Sequence, residues 1–175
     1  MNAPGARSQR LFLALWPGAR VRAALARRRD RFSWPTGAAP VPDERLHLTL
    51  HFIGEVAAAR VPALADALRA PAPRFELVLD SVAVWRGGLA VLRPSTLPDE
   101  LLALHAALGA ALHAAGLPVE TRPFRPHVTL ARRAAGAAHA GAAPPVHWPV
   151  AGYALVRSHL GMQPAYEPLW HRRAD

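Results

Sequence analysis

At 175 residues, with 51% hydrophobic and 19% charged side chains, the chain has the profile of a globular domain and not of a disordered or low-complexity protein. It has no cysteine, which excludes disulfides, thiolate nucleophiles and cysteine-based zinc sites, and no apolar run reaches the roughly 18 to 20 residues that cross a bilayer. The formal net charge is +9 and all 21 basic residues are arginine, whose planar fork matches phosphate oxygens. The preference for Arg over Lys accompanies an excess of Ala, Gly and Pro and is read as codon bias, while the positive balance itself favours an anionic partner. Residues Met1 to Arg10 lack the apolar core of a signal peptide, so a cytoplasmic location is expected.

In chain order, Arg10 to Trp16 reads as a short apolar strand stopped by Pro17-Gly18, and Ala19 to Arg31 as a helix. Phe32 to Pro42 is a loop leading into a strand from Leu46 to Ile53, which ends at Gly54. A second helix is predicted over Ala57 to Ala70, followed by two β-rich runs, Phe75 to Trp85 and Leu89 to Leu92, joined as a hairpin around Gly87-Gly88. Pro98 to Ala115 is a third helix, with Asp99 near its start and Gly116 near its end. Val119 to Arg122 is expected to pair with a strand from Pro126 to Arg132, Ala134 to Pro145 is read as a mobile loop, and Trp148 to His159 and Tyr166 to Trp170 are closing strands.

One pattern occurs twice in this series, as His47-Leu48-Thr49-Leu50 and His127-Val128-Thr129-Leu130. Strand side chains alternate between faces, so each His shares a face with its Thr while Leu or Val fills the core. An imidazole with an ordinary pKa of about 6.5 is able to give or take a proton near neutral pH. Two such strands facing one cleft would place an acid and a base on opposite sides of one phosphorus, with Thr49 and Thr129 donating to its non-bridging oxygens. His51 shares the parity of His47 and Thr49 and is assigned to the rim of that cleft. A metal is not expected, because His47 and His51 lie on a strand and neither HxH, HExxH nor a carboxylate cluster accompanies them. The expected architecture is α+β, with two pseudo-symmetric lobes, one motif in each half of the chain, antiparallel sheets lining a central cleft and helices outside.

The twin motifs resemble those of the two-histidine (2H) phosphoesterase superfamily. The flanks Arg10 to Leu15, Leu46 to Val56 and Arg122 to Arg132 resemble its RNA 2′,3′-cyclic phosphodiesterases, historically called 2′-5′ RNA ligases, as does Tyr166 to Trp170. The likeness spans nearly the whole chain, residues 1–175, as one bilobal domain. It implies metal- and cofactor-independent hydrolysis of an RNA 2′,3′-cyclic phosphate to a 2′-phosphomonoester, by a monomer acting on RNA termini. It also implies His47 as proton donor, His127 as proton acceptor and Arg132 as a phosphate contact. Strand parity puts Arg132 on the face opposite His127, so that contact requires a bulge or the strand's end. Phe12 and Trp34 are candidates to stack on a base, and Arg125 to meet an RNA phosphate. Three readings remain: the cyclic phosphodiesterase; a related activity such as 2′-5′ ligation or cleavage of 2′-5′ oligonucleotides; and a non-enzymatic module that binds RNA ends.

Overall fold

The computed structural model describes residues 8–159, 161–162 and 165–174; most of the polar start, residues 1–7, lies outside these. The elements are β1 (Ser8–Leu15), α1 (Ala19–Arg29), β2 (Phe32–Ser33), β3 (Ala39–Pro40), β4 (Leu48–Ala57), α2 (Val61–Ala67), β5 (Phe75–Leu79), β6 (Ser81–Trp85) and β7 (Leu89–Arg93). They continue as α3 (Asp99–Ala114), β8 (Val128–Arg132), β9 (Ala138–His139), β10 (Val146–Val150), β11 (Gly152–Ser158) and β12 (Tyr166–Arg173). The fold is α+β, with few helices on a mostly antiparallel sheet.

The main sheet runs β12-β11-β1-β4-β8-β7-β6, with β3 also paired to β8. Its two blocks of strands meet where β4 joins β8 through the pair Leu48 and Val128. Leu11, Leu13 and Leu15 of β1, Leu48 and Leu50 of β4, and Val128 and Leu130 of β8 face the main core. There they meet Leu101, Leu104, Leu108 and Leu112 of α3, a helical stripe that buries one side of that helix. Each such Leu→Ala change costs about 2–5 kcal/mol. Asp99 and Glu100 in the first turn complement the positive end of α3. The opposite face of the sheet carries a smaller cluster of Phe12, Ala14, Ala154 and Val156, flanked by Trp16 and Tyr166.

Several expected boundaries move, each for a local reason. The first block of strands is not drawn from one half of the chain, because the C-terminal strands β11 and β12 cross back to β1 and complete it. The run from Phe75 to Trp85 breaks at Asp80, whose carboxylate accepts from the Ser95 backbone N–H (2.8 Å) and hydroxyl (2.5 Å); β5 then pairs with β10 while β6 pairs with β7. The run from Trp148 to His159 breaks before Gly152, where φ is 152° and a Cβ would lie 2.0 Å from the Arg172 carbonyl oxygen. The second helix is only Val61–Ala67, since β4 continues to Ala57. Residues 119–122 form no strand, and the expected loop from Ala134 to Pro145 is tied down by the pairing of β9 with β2.

Candidate active site

Leu48 and Val128 oppose each other at the junction of the two blocks and are fully buried, so the residues on either side of each project from the other face. His47, Thr49, His127 and Thr129 are therefore presented together above one antiparallel pair. Both strands then make the same detour. Against β1 the register of β4 slips between Thr49 and His51, and against β7 the register of β8 slips between Thr129 and Ala131. Each slip is a β-bulge that leaves two consecutive residues, Leu50-His51 and Leu130-Ala131, on the covered side. The fifth residue after each histidine consequently returns to the open face: Phe52, 64% exposed, in one strand and the exposed Arg132 in the other.

The bulge also corrects the placement of His51. It is 3% exposed and lies under α3, where its Nε2–H donates to the His105 carbonyl oxygen at 2.8 Å. Its ring stacks on His105 at 4.1 Å, and His105 stacks in turn on Phe124 at 3.8 Å. Gly109 permits this approach, since a Cβ there would come within 3.3 Å of the His51 ring. Burial lowers the pKa of both imidazoles, that of His105 to about 4.

Each motif histidine is fixed in the same way. His47 Nδ1–H donates to the Arg45 carbonyl oxygen at 2.6 Å, and His127 Nδ1–H to that of Arg125 at 2.7 Å. With Nδ1 occupied, Nε2 is the nitrogen left to exchange protons on both rings. At His47 it lies 3.1 Å from the Thr49 hydroxyl, which donates to it when the ring is neutral. The surroundings differ. His47 packs against Phe12 (5.0 Å), Trp16 (5.6 Å, stacked) and the edge of Tyr166 (5.2 Å), whereas His127 has Trp85 edge-on at 4.6 Å. Burial pulls the His47 pKa down to about 4, opposed by the Arg45 carbonyl and reinforced by the charges of His127 and Arg132. His127 is lowered as well, by burial and then by Arg132. Arg132 thus stands close enough to act on both rings.

Of the other expected site residues, Phe12 is 2% exposed and forms the floor beneath His47. Trp34 stacks on Phe32 at 4.7 Å and packs on the cluster of Ala90, Ala131 and Ala134. Arg125 contributes its carbonyl to His127 and leaves its side chain exposed. Arg45, Trp16, Tyr166, Trp85 and Phe52 complete the surroundings and went unread in the sequence. One signal was present: the repeat is six residues long, Arg-x-His-x-Thr-Leu, and its arginines are the two residues whose carbonyls hold the imidazoles. Among the described residues no three His, Asp or Glu side chains gather as a metal site.

A model of the 2′-5′ RNA ligase superfamily matches residues 17–161. The chain belongs to this superfamily. It is 36% identical to the RNA 2′,3′-cyclic phosphodiesterase of Thermus thermophilus, over 86% of this chain and 82% of that protein. It is 37% identical to the Escherichia coli protein of the same name, over 74% of each. Among solved structures of the superfamily, E. coli LigT complexed with 3′-AMP superposes with a TM-score of 0.81 at 32% identity, covering 96% of this chain and 99% of that one. No helix among the described residues is long and apolar enough to cross a membrane.

Proposed function

We propose that this superfamily member hydrolyses RNA 2′,3′-cyclic phosphate ends to 2′-phosphomonoesters, with its two motif imidazoles as acid and base. The observation that carries the reading is the matched pair of Nδ1 hydrogen bonds to Arg45 and Arg125, which leaves Nε2 of both rings free for proton transfer on one face of the sheet. The relatives named for this activity support it.

Water attacks phosphorus in line with the 3′ oxygen, so the new P–O bond forms as the P–O3′ bond breaks. His127 takes the proton from water, and protonated His47 gives one to the departing oxygen, leaving the 2′ ester intact. Thr49 and Thr129 donate to the non-bridging oxygens and Arg132 stabilises their charge. Without substrate, burial holds the His47 pKa well below the ordinary imidazole value and favours the neutral ring near pH 7. A phosphodiester anion bound beside the ring favours the imidazolium and so opposes the depression that burial causes. The chemistry calls for no metal or cofactor.

The test is to incubate the protein, in chelator, with RNA bearing a 2′,3′-cyclic end and to identify the product. A 2′-phosphate is expected. A 3′-phosphate, or turnover that appears only with a divalent cation, overturns the reading.

A further inference from the structure

We infer that the RNA strand 5′ of the cyclic end leaves the cleft past Trp16 and lays its phosphodiester backbone in a separate basic cavity at the foot of the first strand block, an inference that rests on the phosphodiesterase reading. A cyclic phosphate occupies the 3′ terminus of its strand, so every other nucleotide lies on one side of the reacting group and needs a path across the protein. A cavity of about 880 Å³ begins one ring from the acid: Trp16 stacks on His47 with centroids 5.6 Å apart and also lines that cavity. This volume is at the upper end of the roughly 300–1,000 Å³ typical of small-ligand pockets, enough for a nucleotide.

The lining is chosen for anions. Arg20, Arg172 and Arg173 are among the residues that line the cavity, and the Glu76 carboxylate, also in the lining, lies 3.0 Å from His147 Nδ1. Arg172 Nε is buried without a hydrogen-bond partner among the described residues. Arg20 stands in the first turn of α1, which contains no acidic residue and has Gly18 as its N-cap with no side-chain cap. A cation at that end opposes the helix dipole and gains nothing from it, so the arrangement makes sense when an anion arrives between them. Trp16, half-buried at the boundary, presents an aromatic surface between the reacting phosphate and this basic wall, the combination that single-stranded nucleic acid uses.

The experiment compares two substrates ending in the same nucleotide: a nucleoside 2′,3′-cyclic phosphate, and a hexaribonucleotide with a 2′,3′-cyclic end. Unmodified protein should favour the hexamer in kcat/KM. In the double variant Arg20→Glu/Arg173→Glu, both sites exposed, the hexamer-to-mononucleotide ratio should fall about tenfold, and the salt dependence for the hexamer should become shallower. An unchanged ratio, or equal loss on both substrates, overturns the inference while leaving the phosphodiesterase reading in place. Failure of unmodified protein to hydrolyse either substrate overturns both.

Discussion

The strands carrying His47 and His127 are built alike and finished differently. Both fix Nδ1 on the carbonyl two residues upstream, both carry a threonine two residues on, and both bulge directly afterwards. Yet one imidazole is packed among Phe12, Trp16 and Tyr166 and is followed by Phe52, while the other meets Trp85 and is followed by Arg132. The repeated backbone supplies two equivalent proton-exchange positions. The residues around it, which do not repeat, pack three aromatic rings on one position and set Trp85 beside, and Arg132 after, the other. On the proposed reading, division of labour between two nearly identical motifs is a property of their neighbours.

The harshest test of this comparison is to remove each imidazole. His47→Ala and His127→Ala should each lower kcat by about 10²-fold or more on a cyclic-phosphate RNA. They should separate on an activated phosphodiester with a nitrophenolate leaving group, which needs no protonation. There His47→Ala should recover most of its rate and His127→Ala should not; the reverse order would exchange the acid and base assignments.

Arg132→Ala should have a smaller effect, about tenfold in kcat/KM, with a shallower salt dependence as a phosphate contact is lost. Phe52→Ala, at the equivalent position of the other strand, should change neither quantity appreciably, and a matching loss in both variants would show that the two bulges serve the same purpose.

Beneath the first strand, His105 has its pKa lowered to about 4 by burial, whereas it titrates near 6.5 when unfolded. The unfolded chain therefore binds the extra proton first, and stability should fall as pH drops from about 6.5 towards 4. His105→Phe should flatten this fall, read as Tm at pH 7.5 against pH 5.

The smallest effect concerns the ring cover. Trp16→Ala should let water reach His47 and move its pKa up from about 4 towards 6.5, as followed by NMR titration of the imidazole protons. A His47 titration unaltered by that change would assign the depression to Phe12 and Tyr166 alone.

The chemistry was legible in the sequence because it depends on residue types at a spacing of two, and alternation alone aligns His with Thr. What followed Thr49 was not legible. Strict alternation carried on to His51 and gave the wrong face, because a bulge is a register event between two strands and leaves no mark in one of them. The same extra residue in β8 resolves the parity conflict at Arg132, where sequence could say only that some irregularity was needed. Phe12, in an apolar strand, reads better as core than as a stacking platform and is 2% exposed, whereas nothing in the sequence sets Trp34 on Phe32. The return of β11 and β12 to β1 is likewise a long-range pairing that periodicity does not encode. The six-residue repeat beginning at Arg45 and Arg125, by contrast, stands in the sequence itself.

The meeting of Leu48 and Val128 makes the cleft a caliper. Its jaws are the two strand blocks, its pivot is a residue pair buried on the covered face, and the gap it gauges is the space between two ring nitrogens. A methyl group added or removed at that pivot should shift the two strands relative to each other, and misplacement by about 1 Å is enough to cost on the order of 10² in rate. On the proposed reading, turnover should therefore respond to the shape of two aliphatic side chains buried on the covered face.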